Sequence, residues 1–157
     1  MSTEQVYKKM PTRTIILAGL LVGTLDILTA CIITSARTGR PFSTVLRFVA
    51  SGVFGRSAFT AEGMPYWGLF FHYVIAFAFT IFFFQVYPFL HRTFKNGGVI
   101  AVVYGLFNWA VMNLAVLPLS RVAGVPFTWT STIINAFILI VMIATPLTLI
   151  AQRTNPK

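Results

Sequence analysis

The sequence predicts an all-α integral membrane protein, a four-helix bundle with a short interfacial or re-entrant helical segment between spans 1 and 2. Three observations carry that reading. The chain is 57% hydrophobic with a mean hydropathy of +0.81. Only 10% of its 157 residues are Asp, Glu, Lys or Arg, against about 25% in a soluble domain. So little charge cannot cover a wetted surface, and the same composition excludes a disordered chain. Four apolar stretches each reach the roughly 20 residues with which a helix crosses a hydrocarbon core about 30 Å thick. β-Barrel alternation is absent, so the spans are expected as helices, whose backbone polar groups pair internally. Residues 1–157 form a single transmembrane domain on this reading.

The first span is expected at 14–36, after Pro11 and before the turn closed by Pro41. It is too long for the apolar core of a signal peptide, and no clean small-residue cleavage pattern follows it. The stretch 42–61, FSTVLRFVASGVFGRSAFTA, is apolar but short, and Arg47 and Arg56 interrupt it. These two fall on opposite sides of a continuous helix of about 3.6 residues per turn. A break at Gly52 or Gly55 into two short pieces is therefore expected, and an interfacial or re-entrant placement. Pro65 introduces the second span, 66–90. Asn96-Gly97-Gly98 is a turn before the third, 99–119, and Gly124-Val125-Pro126 lies before the fourth, 127–151. Pro88, Pro118 and Pro146 fall near the far ends of their spans, where proline bends or ends a membrane helix.

Twelve bases against three acids give a formal charge of +9. The bases sit in small groups between apolar runs, as membrane flanks do, so no nucleic acid partner is expected. Lys8, Lys9, Arg13, Arg92, Lys95, Arg153 and Lys157 share the side of the termini; Arg37, Arg40, Arg47, Arg56 and Arg121 share the other. This modest excess puts the termini in the cytoplasm of a bacterial inner membrane protein. Tyr66, Trp67 and Trp129 would then mark the outer interface and Tyr87 the inner one. Membrane lipids are the expected partners. Gly19 with Gly23, and Ala101 with Gly105, give small-residue grooves that serve helix contact within one bundle or between subunits of a homo-oligomer. The lone Cys31 reads as a small packing residue, and the phenylalanines at 77, 79, 82, 83 and 84 as lipid-facing and core-filling bulk.

Asp26 is the one acid inside a span, where a carboxylate costs at least roughly 2.5 kcal/mol. At about 1.5 Å rise per residue, Asp26, His72, Asn108, Asn113 and Asn135 all fall in the outer-leaflet half of one bundle. Thr24, Thr29, Tyr73 and Trp109 could add donors there. Two readings stay open: a polar cavity or proton relay, or a satisfied network that joins helices. Arg37, Arg40 and Arg121 are candidate contacts to lipid headgroups or an anionic solute, or plain interfacial anchors. His72 and His91 lie about 28 Å apart along one helix, so they cannot share a haem. No metal-ligand spacing, phosphate loop, dinucleotide fingerprint or nucleophile elbow occurs, and no cofactor, metal or catalytic residue is expected.

The stretches GLLVGTLDILTA, GRPFSTVLRFVASGVFG and GLFFHYVIAFAFT, with YGLFNWAVMNLAVLPLSR similar in style, cover about half the chain. In them the chain resembles the YagU-like family of small bacterial inner-membrane proteins. The shared pattern is a glycine-rich first span with an internal Asp, a basic connection, and a His early in the second span. The resemblance implies an integral membrane protein and, loosely, a link to acid tolerance; it supplies no catalytic residues. Two functions are carried forward. One is a transporter or channel-like protein of unknown solute using the Asp/His/Asn cluster. The other is a structural or accessory protein assembling through its small-residue faces. A lipid-modifying enzyme is a weaker third, for want of a nucleophile.

Overall fold

A computed structural model describes residues 10–122 and 128–154. Lys8, Lys9, Lys157, the Gly124-Val125-Pro126 connection and Phe127, the first residue expected of the fourth span, lie outside the described residues. Four helices are long and apolar enough to span a membrane: α1 (Thr12–Thr38), α3 (Met64–Phe94), α4 (Gly97–Leu119) and α5 (Trp129–Thr154). A shorter interfacial helix, α2 (Ser43–Phe54), with a 3-10 turn at Gly55–Phe59, lies between the first two. The protein is thus an all-α, multi-pass membrane bundle.

Most of the long helices run past the limits that hydropathy sets. Helices end where backbone geometry changes, not where the hydrocarbon ends. The α1 helix stops at Gly39, with φ +68°, whose N–H bonds the Ser35 carbonyl at 2.8 Å. The α3 helix continues through Pro88 to Phe94 and stops at Lys95, which takes φ +53°. Only two residues then separate α3 from α4. The Asn96 side chain caps α4, accepting from Gly98 N at 2.8 Å and Val99 N at 3.4 Å. Gly97 and Gly98 therefore belong to the first turn of α4 and not to the turn before it. Gly97 has its own reason to lack a side chain, since a Cβ there would strike the Gln152 amide of α5.

The segment after α1 folds back against the bundle. The Phe42 carbonyl sits 3.8 Å from Cys31 Sγ, well inside the end of α1. The break in this segment falls at Gly55, whose φ of +66° and ψ of −146° only glycine adopts readily. Arg47 reaches across the break, and its Nη1 donates to the carbonyls of Ala58 at 3.0 Å and Ala61 at 2.7 Å. A cation that seemed to interrupt the apolar segment is what closes its far end. On the other face α2 packs onto α3 at Gly68, where a Cβ would collide with the backbone carbonyl of Leu46. Beyond α4, Arg121 N donates to the Gly52 carbonyl at 2.9 Å and ties that connection to α2.

Small residues set the helix contacts within the chain. A Cβ on Gly19 would lie 2.5 Å from the Phe77 ring, and one on Gly23 would lie 2.9 Å from the Tyr73 ring and 3.2 Å from Ala76 Cβ. Gly105 is similarly filled by Ile140 of α5. Both grooves read from the sequence are thus occupied by neighbouring helices of the same chain. The phenylalanine run divides accordingly. Phe83 is fully buried against Tyr104, ring centroids 4.7 Å apart, Phe77 fills the Gly19 groove, and Phe82 is exposed.

The buried apolar cluster sits toward one end of the bundle. The buried core consists of Ala18 and Val22, Phe83 and Tyr87, Ile100, Ala101 and Tyr104, and Ile143, Ala144, Leu147 and Ala151. All of these lie toward the ends of the helices nearest the chain termini. Tyr104 Oη donates to the Phe79 carbonyl at 2.6 Å and fixes α4 to α3 in this half. A cavity of about 430 Å³ lies between α4 and α5 in this half, lined by Gly97, Ala101, Ile140, Thr148 and Gln152 among others.

Two of the helices widen in the middle. α4 contains a π segment at Met112–Val116 and α5 one at Leu139–Ala144. Each is followed within two residues by a proline, Pro118 and Pro146. Proline has no N–H for the carbonyl four residues back, and its ring crowds that carbonyl. A turn of longer-range bonds upstream relieves this. The Ile140 carbonyl accepts from both the backbone N–H of Thr145 and its Oγ1, the latter at 2.8 Å.

Candidate functional site

A cavity of about 400 Å³ occupies the α2 half of the bundle, within the usual range for a small-molecule site. Every helix contributes to it. The residues one turn beyond the core on α1, Asp26 and Ile27, form its floor, with Ala30 and Thr34 above. Thr44, Val45, Phe48 and Val49 of α2 form a wall. Both π segments reach it, through Met112 and Asn113 on α4 and Leu139 on α5. Most of the lining is apolar; Asp26, Thr34, Thr44, His72, Asn113 and Asn135 are its polar residues.

The polar groups are held in a definite way. Gly23 brings α3 so close to α1 that the His72 ring reaches its backbone. His72 Nε2 and the Gly23 carbonyl are 2.8 Å apart. A carbonyl only accepts, so Nε2–H is the donor of this bond. One residue on, Tyr73 Oη and Thr24 Oγ1 are 2.7 Å apart, and Thr24 donates to the Leu20 carbonyl at 2.7 Å. The single Thr24 proton is therefore engaged, and Tyr73 is the donor between the two hydroxyls. Asp26 lies one turn beyond Gly23, half-buried, lining the same cavity as His72. Neither carboxylate oxygen has a hydrogen bond or ion pair among the described residues.

The other sequence candidates separate. Asn113 lines the cavity, with Nδ2 donating to the Trp109 carbonyl at 2.9 Å where the α4 ladder changes register. Asn135 lines it too, from an exposed position in the second turn of α5. Asn108 does not. It is fully buried one turn below Met112, and neither its Nδ2 nor its Oδ1 has a partner among the described residues. Each such group costs about 1–3 kcal/mol. Trp109 Nε1, next in the chain, is buried without a partner among the described residues. Thr29 donates back to the Leu25 carbonyl within α1. Arg37, Arg40 and Arg121 are exposed at the α2 end and outside the cavity lining. Arg37, in the last turn of α1, is placed to offset the negative end of the helix dipole. Among the described residues, no three His, Cys, Asp or Glu side chains converge as metal ligands.

Sequence reading missed the α2 wall and the widened turns. The α2 contribution had no local signal, because an apolar face looks the same toward lipid or cavity. The π segments had one: Leu117-Pro118-Leu119 and Thr145-Pro146-Leu147 place a proline a turn above each. No protein-family model, curated protein or solved structure matches this chain.

Proposed function

We propose that this chain is a small transporter or channel-like protein, with the α2-half cavity as its solute site and Asp26 and His72 as its proton-sensitive pair. The observation that carries the reading is the cavity at the α2 end, which all five helices line and which holds the one acid inside a span, Asp26. It lies beyond the buried apolar cluster, so it would open toward one side only, as in a carrier. A carboxylate without a hydrogen bond or ion pair, at the floor of that cavity, is what a purely structural network would not retain. The same reading places the protein in a bacterial inner membrane with cytoplasmic termini and takes the YagU-like resemblance as its family. The cavity would then face away from the cytoplasm. The alternative of an assembly protein loses its specific support, since Gly19, Gly23 and Gly105 are covered within the chain.

The test is proton movement into proteoliposomes under an imposed pH gradient, followed with a trapped pH dye. Wild-type protein is expected to exceed protein-free vesicles, and Asp26→Asn to remove most of the excess while its gel-filtration profile is unchanged. His72→Ala should reduce it. Wild-type vesicles that match empty ones, or two variants that both retain full flux, would sink the reading.

A further inference from the structure

The hydrogen bonds that hold the site together also select what it can bind. Resting on the reading of this cavity as a ligand site, we infer that its ligand is a small amphipathic amine in its ammonium form.

Two donors on residues that line the cavity with Asp26 are already engaged by the protein. His72 Nε2–H is held by the Gly23 carbonyl, and Asn113 Nδ2 by the Trp109 carbonyl. Both partners are backbone carbonyls, which fixes the direction of each bond. What remains on these side chains is the Asp26 carboxylate, Nδ1 of His72, and Asn113 with its Oδ1 and second Nδ2 hydrogen. Asn135 and the hydroxyls of Thr34 and Thr44 offer both roles and suit either kind of guest. No Lys or Arg lines the cavity among the described residues. The nearest cation in sequence to the wall, Arg47, is turned to the carbonyls of Ala58 and Ala61.

A carboxylate in a cavity that no Lys or Arg lines among the described residues repels an anion and gives a neutral guest no charge to meet. An ammonium group supplies both the charge and the N–H donors. The rest of the lining, Ile27, Val45, Phe48 and Ile138 among it, is apolar and calls for a hydrocarbon body. A volume of about 400 Å³ leaves room for a body the size of one or two rings.

Equilibrium binding to the full chain in lipid nanodiscs tests this, with three probes of one shape. These are 2-phenylethylammonium, neutral 2-phenylethanol and anionic 3-phenylpropanoate, with empty nanodiscs subtracted for partition into lipid. The ammonium probe is expected to bind at least ten-fold tighter than the alcohol, and the carboxylate to show no saturable binding. Asp26→Asn should erase the preference for the ammonium over the alcohol. Val49→Trp, which fills the cavity from α2 without touching the carboxylate, should weaken both. Equal affinity for amine and alcohol, a preference that survives Asp26→Asn, or full amine binding by Val49→Trp would overturn the inference. Binding is measured without flux. An amine that binds with this pattern but is not moved leaves the ligand class standing and removes the transport reading. Asp26-dependent flux that no amine binds to or competes with does the reverse.

Discussion

Gly23→Ala is the smallest change that reaches the site, since one methyl group is added and no functional atom is removed. The new Cβ would lie 2.9 Å from one carbon of the Tyr73 ring, 3.0 Å from the next and 3.2 Å from Ala76 Cβ. Carbon atoms rest about 3.5–4.0 Å apart, so α3 must retreat from α1 by about 0.6 Å or more. Carried to the neighbouring residue, that shift stretches the 2.8 Å His72–Gly23 bond to about 3.4 Å, past the useful range. The Tyr73–Thr24 bond, 2.7 Å, is loosened by the same motion. Overpacking costs about 1–3 kcal/mol and each weakened hydrogen bond about 0.5–1.5 kcal/mol, so the expected loss is about 2–6 kcal/mol. Thermal unfolding in nanodiscs measures it. Gly52→Ala is the control, because its Cβ would meet nothing closer than Ser120 Cβ at 3.6 Å, and a change under about 0.5 kcal/mol is expected. A double-mutant cycle separates packing from the site: His72→Ala should cost less in the Gly23→Ala background than in wild type. A Gly23→Ala loss below about 1 kcal/mol, or a cycle with no coupling, refutes the link from glycine to imidazole.

Two further outcomes follow from the same geometry. Arg47→Met removes two hydrogen bonds from a charged donor to the carbonyls of Ala58 and Ala61. At a combined loss of about 3 kcal/mol, protease cleavage within 55–63 is expected to quicken about 100-fold, and an unchanged rate would show that the guanidinium is not the clasp. Pro118→Ala restores the missing N–H and should let Met112–Val116 return to α-helical bonding. The removal of one extra residue turns the lining positions by about 100°. In a Cys31→Ser background, labelling of Met112→Cys by a soluble maleimide is expected to slow several-fold. Equal labelling would mean that the proline does not set the widened turn.

Much of the fold was written locally. Hydropathy and length specify four spans, because each must lose its contact with water regardless of its neighbours. The break at Gly55 was legible as one of two glycines, since only a glycine takes its backbone angles cheaply. Depth counting put Asp26, His72, Asn108, Asn113 and Asn135 at one level, because helical rise is nearly constant and adjacent spans run antiparallel. Four of the five line one cavity, and Asn108 does not. Depth alone does not tell which way a residue faces around the helix axis, and Asn108 faces the packed seam below the cavity.

The sequence by itself determined the class of protein, the number of crossings and the rarity of its intramembrane acid, for these depend on composition and on distance along the chain. Only the tertiary structure decided that the Gly19–Gly23 face receives α3 and not a second copy, and that Arg47 closes α2 on itself. It also decided that His72 and Asn113 each give a hydrogen to a backbone carbonyl at a cavity that Asp26 also lines. The reason is that a hydrogen bond between helices depends on approach to within 3 Å. That approach is fixed by side-chain volumes on two helices at once, a sum that no single stretch of sequence contains.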